Sequence, residues 1–230
     1  MVGVEVSLFA AVIGRIEAGE QKLNSVDSDG RTALHHAVAA GDIELFEELL
    51  ERGAATDTKD EGGWTPLHSA ASAGRVEIAT LLLASQGGGV DVNACVDGSG
   101  STPLIFAASK GHGEIVRLLL EARADLRARD GSGATALHRA AGRGQVHIIG
   151  LLTAALRPAS AIDDRDALGQ TAFHVAAVTE QWDACVALAE AGADCATVDN
   201  EGNLSRALLS PSLQNQVGLL DEQAGDNMRM

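Results

Sequence analysis

The sequence of 230 residues predicts an all-α solenoid, in which pairs of short antiparallel helices alternate with glycine-containing turns. The main observation is an internal repeat. Threonine recurs at intervals of 33, 37, 33 and 36 residues, at Thr32, Thr65, Thr102, Thr135 and Thr171. Leu204 takes the same position 33 residues later, and every one of the six positions has aspartate five residues before it and glycine two residues before it. Periodicity of this kind is the signature of stacked repeat architectures.

The composition is that of a folded protein with an acidic surface. Apolar residues make up 46% of the chain and charged residues 21%, and the formal net charge is −15. This charge argues against nucleic acid as a direct partner, because phosphate groups require cationic side chains. Cys95, Cys185 and Cys195 lack CxxC spacing, which predicts free thiols in a reducing compartment. No apolar run reaches the roughly 18 residues of a membrane span, so we expect a soluble, intracellular protein.

Each repeat contains the signals for two helices. In the second repeat, Thr65 is predicted to cap the first helix, Pro66 to occupy its first position and Gly74 to end it. The residues predicted to face the core of this repeat are Leu67, Ala70, Ala71, Ile78, Leu81 and Leu82. The segments between repeats are predicted to form β-turn fingers. Helices this short are marginal alone, so stacking of the repeats must supply the stability.

The predicted organisation is a single solenoid with a cap at each end. Residues 1–26 form an N-terminal cap whose helix, over 4–24, places Leu8, Val12 and Ile16 at helical spacing. Six repeats span 27–59, 60–96, 97–129, 130–165, 166–198 and 199–222, and the tail 223–230 is expected to fray. Pro211 opens a last helix in the degenerate sixth repeat. The longer connections at 86–90 and 157–163 are predicted to be loops, because the triple glycine 87–89 lacks the Lys-Ser/Thr of a phosphate-binding loop.

The segments GRTALHHA, GWTPLHSA, GSTPLIFA, GATALHRA and GQTAFHVA resemble the T-P-L-H-x-A signature of the ankyrin-repeat family. The resemblance implies that the recurring histidines are structural, each bonded to the threonine three residues earlier and to backbone, at His35, His68, His138 and His174. A metal array is the alternative, but it fails on distance. Equivalent positions lie roughly 8 to 10 Å apart, whereas zinc ligands lie about 2 Å from the ion. Motifs such as GxSxG and HExxH are absent, so we expect no enzyme activity, no cofactor and no metal.

The family resemblance also implies a binding surface, because ankyrin solenoids bind proteins through the concave face that the finger tips and first helices form. The variable positions of that face predict a protein-binding site at Asp29, Arg31, Glu61, Trp64, Ser72, Ser109, Lys110 and Arg143. Charges of both signs occur in this set, which indicates a partner that also carries both. Trp64 is a large aromatic residue at a predicted finger tip, which is typical of an interface anchor. Alternatively, its ring lies flat on a neighbouring finger.

Four longer segments within residues 27 to 209 are similar to the gankyrin group of ankyrin-repeat proteins, the assembly chaperones of the proteasome. These segments are SDGRTALHHAVAAG, DEGGWTPLHSAASAGRVEI, TPLIFAASKGHGEIVRLLLEA and ATALHRAAGRG. The similarity implies that the concave face binds the C-terminal domain of an ATPase subunit of the regulatory particle. Arg31 and Lys110 match residues of that group that face carboxylates of the ATPase, and Asp29 and Glu61 match positions that meet arginines.

We therefore expect a non-catalytic assembly chaperone, cytoplasmic and nuclear, which is a monomer when free and contacts neither nucleic acid nor membrane. The sixth repeat departs from the pattern because it lacks T-P-L-H. No Leu-x-Cys-x-Glu motif occurs, so an association with pocket proteins has no support. The alternative function is that of a general ankyrin adaptor or kinase-inhibitor-type protein with another protein partner.

Overall fold

The computed structural model describes residues 15–16, 22–85, 90–156, 159–209, 211 and 214. Within these ranges, ten α-helices form five consecutive pairs. The first helices of the pairs are α1 (Ala33–Ala40), α3 (Pro66–Ala73), α5 (Pro103–Lys110), α7 (Ala136–Ala141) and α9 (Ala172–Val178). The second helices are α2 (Ile43–Glu51), α4 (Val76–Ala84), α6 (Gly113–Glu121), α8 (Val146–Ala155) and α10 (Trp182–Glu190). Each first helix contacts the next first helix, and each second helix contacts the next second helix, so the predicted two-layered all-α solenoid is confirmed.

The helix boundaries follow the predicted capping signals. Thr65 accepts a hydrogen bond from the backbone N–H of His68, Pro66 is the first residue of α3, and Gly74 ends that helix in the left-handed conformation with φ 73°. Gly41 and Gly111 end α1 and α5 in the same conformation. Glycine adopts this conformation without the steric penalty of a side chain, so the chain can turn at once into the second helix.

The core is a continuous layer between the two sets of helices. Leu67, Ala70 and Ala71 on α3 are fully buried, as predicted, and so are Ile78 and Leu82 on α4 to within 1%. Leu81 is half-buried and packs against the same core. Alanine at the inner positions lets neighbouring first helices approach closely, and the larger aliphatic residues fill the space between the layers.

The recurring histidines connect successive repeats. His68 illustrates the pattern, because its Nδ1 atom lies 2.8 Å from Thr65 Oγ1 and its Nε2 atom lies 3.2 Å from the carbonyl oxygen of Ser101 in the next repeat. A carbonyl only accepts, so Nε2 carries a proton, and Nδ1 accepts from the backbone N–H of Thr65 at 3.2 Å, so the ring is neutral. His35, His138 and His174 make the same contacts. Their predicted structural role is confirmed.

A second connection between repeats was not predicted. His112 precedes α6, and its Nε2 atom lies 3.2 Å from the carbonyl oxygen of Ser72 at the end of α3. Arg75 precedes α4 and donates in the same way to the carbonyl oxygen of Ala39, at 3.2 Å. These side chains cover the glycines that end the preceding first helices, and they satisfy carbonyl groups that have no partner within the helix.

The ends of the solenoid are described in part. Arg15 and Ile16 are helical, which agrees with the predicted cap helix, and the rest of that helix lies outside the described residues. The sixth repeat has a 3₁₀ turn, Ser205–Leu208, in place of a first helix, since Leu204 supplies no capping side chain. A second 3₁₀ helix, Ala159–Asp163, occupies most of the predicted loop 157–163. The triple glycine, most of the predicted last helix and the predicted tail lie outside the described residues.

Candidate binding surface

In five of the six repeats, the aspartate at the base of the finger shapes it through backbone hydrogen bonds. In the first repeat, Oδ1 of Asp27 accepts hydrogen bonds from the backbone N–H groups of Asp29 and Arg31, each 2.9 Å long. These bonds favour the charged carboxylate and, chiefly through the one from Arg31, lower the pKa of Asp27 to about 2. The same pair of bonds recurs at Asp60, Asp130, Asp166 and Asp199. The finger tips are therefore preorganised.

Backbone hydrogen bonds also join each finger tip to the next. The carbonyl oxygen of Asp29 accepts from the N–H of Glu61 at 3.0 Å, which links the first two fingers. Equivalent bonds, 2.7 to 3.2 Å long, link Gly62 with Asp97, Ser99 with Gly131, Ser132 with Ala167, and Leu168 with Asn200. All six fingers thus form one continuous edge, and the side chains at their tips are held at regular spacing.

A groove of about 590 Å³ lies between the first two repeats, and the predicted site residues Asp29, Arg31, Glu61 and Trp64 line it. The Arg31 guanidinium is half exposed and lies 3.5 Å from the Asp29 carboxylate and 3.7 Å from the Asp60 carboxylate. Its charge is therefore already paired within the protein. Because Asp29, Asp60 and Glu61 surround a single cation, the groove is acidic.

Trp64 packs against the neighbouring repeat and also lines the acidic groove. Its ring centroid lies 4.6 Å from that of Phe106 on α5, at an interplanar angle of 37°, so the indole packs between the second and third repeats. The side chain remains half exposed and lines the acidic groove. The ring therefore lies on the neighbouring first helix rather than on the neighbouring finger, and part of the side chain remains exposed in the groove.

The remaining predicted residues lie where the first helices end. Lys110 is the last residue of α5 and is exposed, and Ser109 beside it is half-buried. Arg143 is exposed in the turn that follows α7. Ser72 is half-buried near the end of α3, where its carbonyl oxygen bonds to His112. Lys110 and Arg143 thus place two exposed cations beyond the acidic groove.

One series of residues on this surface was not predicted from the sequence. It occupies the fourth position after each capping threonine and consists of His36, Ser69, Phe106, Arg139 and Val175. His36 and Ser69 line the groove between the first two repeats, Arg139 and Val175 line a second groove between the fourth and fifth, and Phe106 contacts Trp64. His36 lies 2.8 Å from the Asp27 carboxylate, and Arg139 Nε donates to Asp130 at 2.7 Å. The available signal was their variation between repeats, at a position flanked by constant ones.

A second groove, of about 390 Å³, lies between the fourth and fifth repeats. Arg139 and His138 line one wall, and Leu168 and Val175 line the other. Residues at equivalent positions of the first and second repeats line the acidic groove, so the two grooves correspond. The concave face, which we define as the finger tips, these grooves and the ends of the first helices, is therefore one surface of varying chemistry.

The described residues contain no group of three or more His, Cys, Asp or Glu side chains that could hold a metal ion. In the same ranges, every helix is too short or too polar to cross a membrane. Cys95 is exposed, whereas Cys185 and Cys195 are buried. Burial raises the pKa of the Cys185 thiol to about 12, so this sulfur is not a reactive nucleophile.

Comparison with known families identifies one match. The family model described as ankyrin repeats (3 copies) matches residues 8–95, 58–130, 83–161 and 122–199. These overlapping matches cover most of the chain and include all ten described α-helices. A search of the curated proteins finds no match.

Proposed function

The chain belongs to the ankyrin-repeat family, and we propose that it is a non-catalytic assembly chaperone that binds the C-terminal domain of a proteasomal ATPase subunit through its concave face. Ankyrin repeats are protein–protein interaction modules and generally act as non-catalytic scaffolds. The observation that carries the proposal is the charge order on that face. The acidic groove at Asp29 and Glu61 is followed by the exposed cations Lys110 and Arg143.

This charge order fits a partner with alternating basic and acidic surface residues. Basic side chains of the partner reach the carboxylates of the first groove, and its acidic side chains reach Lys110 and Arg143. Such complementarity orients the two proteins and accelerates their association more than it increases affinity. Because the groups are exposed, the interaction weakens as salt concentration rises.

The similarity to the gankyrin group supports the choice of partner. The segments that carry it supply Arg31 and Lys110, which match the residues that face carboxylates of the ATPase, and Asp29 and Glu61, which match positions facing arginines. In this proposal the protein covers the ATPase C-terminal domain during assembly of the regulatory particle and releases it later without turnover. It acts in the cytoplasm and nucleus, where proteasomes assemble.

The test is a titration of the full chain with the recombinant C-terminal domain of each regulatory-particle ATPase subunit. We expect one domain to bind, and we expect the double variant Arg31→Glu with Lys110→Glu to lose most of that binding. Arg117→Glu with Arg123→Glu is the matched control, since both residues are exposed on the second-helix side and the change in charge is the same. Far-ultraviolet circular dichroism checks that each variant is folded.

Two results would contradict different parts of the proposal, one the function and the other the assigned interface. If no ATPase domain binds the unmodified chain, the function is wrong, and the general adaptor or kinase-inhibitor-type role becomes the better account. If one domain binds but the Arg31 and Lys110 substitutions change its affinity no more than the control does, the partner stands and the assigned interface is wrong.

A further inference from the structure

The fifth repeat differs from the others at three positions of the concave face. The finger position of Asp29 in the first repeat is Leu168 in the fifth. The position of His36 is Val175, and the position of Ala39 near the end of the first helix is Val178. In the other four repeats that have a first helix, no more than one of these three positions carries a large apolar residue, namely Phe106 in the third repeat.

These residues are exposed although they are apolar. Leu168 is 60% exposed, the largest fraction among the large hydrophobic side chains of the described residues, and Val178 is 55% exposed. Val175 is half-buried beside Gly142, where an added Cβ would lie 2.9 Å from its Cγ1. A side chain on Gly142 would therefore crowd Val175 at the wall of the second groove. Apolar side chains that are exposed together beside a groove are typical of an interaction site, whereas single exposed ones are common on any protein surface.

The polar groups around the second groove are already engaged within the protein. Arg139 donates to the Asp130 carboxylate at 2.7 Å and to Ser132 Oγ at 3.0 Å. Oδ1 of Asp166 accepts from the backbone N–H groups of Leu168 and Gln170, each at 2.9 Å. A ligand in this groove therefore meets an apolar wall and a closed ion pair, which favours an apolar side chain over a charged one.

We propose that Leu168, Val175 and Val178 form an apolar contact site that receives a bulky aliphatic or aromatic side chain of the same protein partner that binds the acidic groove. This inference rests on the proposed protein-binding role of the concave face, with which the site is continuous through the bonded fingers. The site also fixes the orientation of the partner along the solenoid. Basic residues of the partner lie over the first two repeats, and its apolar residue lies over the fifth. The two contacts are three repeats, or roughly 25 to 30 Å, apart.

The test compares two double variants, in each of which two exposed aliphatic residues are replaced by serine. Leu168→Ser with Val178→Ser removes the proposed site. Val76→Ser with Val146→Ser is the matched control, because these valines are 42% and 40% exposed at the starts of α4 and α8, away from the fingers. The probe is the ATPase C-terminal domain that binds the unmodified chain. We expect the first pair to weaken binding at least about tenfold and the control pair less than about twofold.

The salt dependence distinguishes this site from the acidic groove. Burial of apolar surface is not screened by ions, so the loss caused by Leu168→Ser with Val178→Ser should be equal at about 50 and 500 mM salt. The loss caused by Glu61→Lys should shrink at the higher concentration. Equal binding by the Leu168 variant and the unmodified chain would overturn the inference.

A second experiment distinguishes failure of the proposed function from failure of this inference. If no ATPase domain binds, the probe becomes a phage-displayed library of random peptides selected on the full chain. Enriched peptides with a bulky apolar residue that lose binding to the Leu168→Ser, Val178→Ser variant, but keep it with the control, support the site. Peptides that bind the variant and the unmodified chain equally overturn it.

Discussion

Replacement of His68 by isoleucine tests how the buried histidines set the response of this solenoid to pH. We expect the fold to accept isoleucine at this position, because the third repeat has Ile105 there, 3% exposed. In the unmodified chain, Nε2 of His68 bonds to the carbonyl oxygen of Ser101, and burial lowers the pKa of His68 from 6.5 to about 4. The folded protein therefore keeps this ring neutral at pH values where the unfolded chain protonates it.

The sign and size of the effect follow from that difference in pKa. Above pH 6.5 the ring is neutral in both states, and its contribution to stability is complete. As pH falls below 6.5, the unfolded chain binds a proton that the folded chain does not, so stability is lost until the pH reaches the folded pKa near 4. Between about pH 7.5 and pH 5 the loss from His68 alone is about 2 kcal/mol.

The assay is urea unfolding followed by circular dichroism at about pH 7.5 and pH 5, for the unmodified chain and for His68→Ile. At the higher pH the variant should be less stable by about 1 to 2 kcal/mol, because the bonds to Ser101 and Thr65 are missing. At the lower pH this difference should vanish or reverse. His35, His138 and His174 remain in both proteins, so the comparison isolates His68. An equal loss of stability by both proteins would refute the neutral, buried ring.

Two further predictions concern packing and backbone geometry. Leu67→Ala should lower the free energy of unfolding by about 2 to 5 kcal/mol in urea titrations, since Leu67 is fully buried and the change leaves a cavity; a loss below about 1 kcal/mol would contradict this packing. Gly74→Ala should lower the melting temperature more than Gly53→Ala does. Both glycines have positive φ, but an added Cβ at Gly74 would lie 2.7 Å from His112 Cε1, whereas none of the described residues lies within 4 Å of one at Gly53. Equal decreases in melting temperature for the two variants would show that the contact between His112 and the end of α3 does not exclude a Cβ atom at Gly74.

Contacts between neighbouring repeats explain why the sequence predicted only part of the binding surface. Asp29, Arg31, Glu61 and Trp64 line a single groove, which the regular spacing of finger positions predicts. The pairing of Arg31 with Asp60 joins two repeats, so the sequence of one repeat does not reveal it. The same holds for the contact of Trp64 with Phe106, because the offset between stacked helices decides which rings meet.

The amino-acid sequence by itself determined the helix caps, the aspartate-based turns and the threonine–histidine pairs. All of these depend on residues fewer than six positions apart, and local backbone geometry is sufficient to specify them. Only the tertiary structure decided that His112 and Arg75 reach back to the preceding repeat, that His36 and Arg139 border the grooves, and that the concave face changes from acidic to apolar along its length. Those properties arise from stacking, which brings together side chains about one repeat apart in the chain and sets which of them remain exposed.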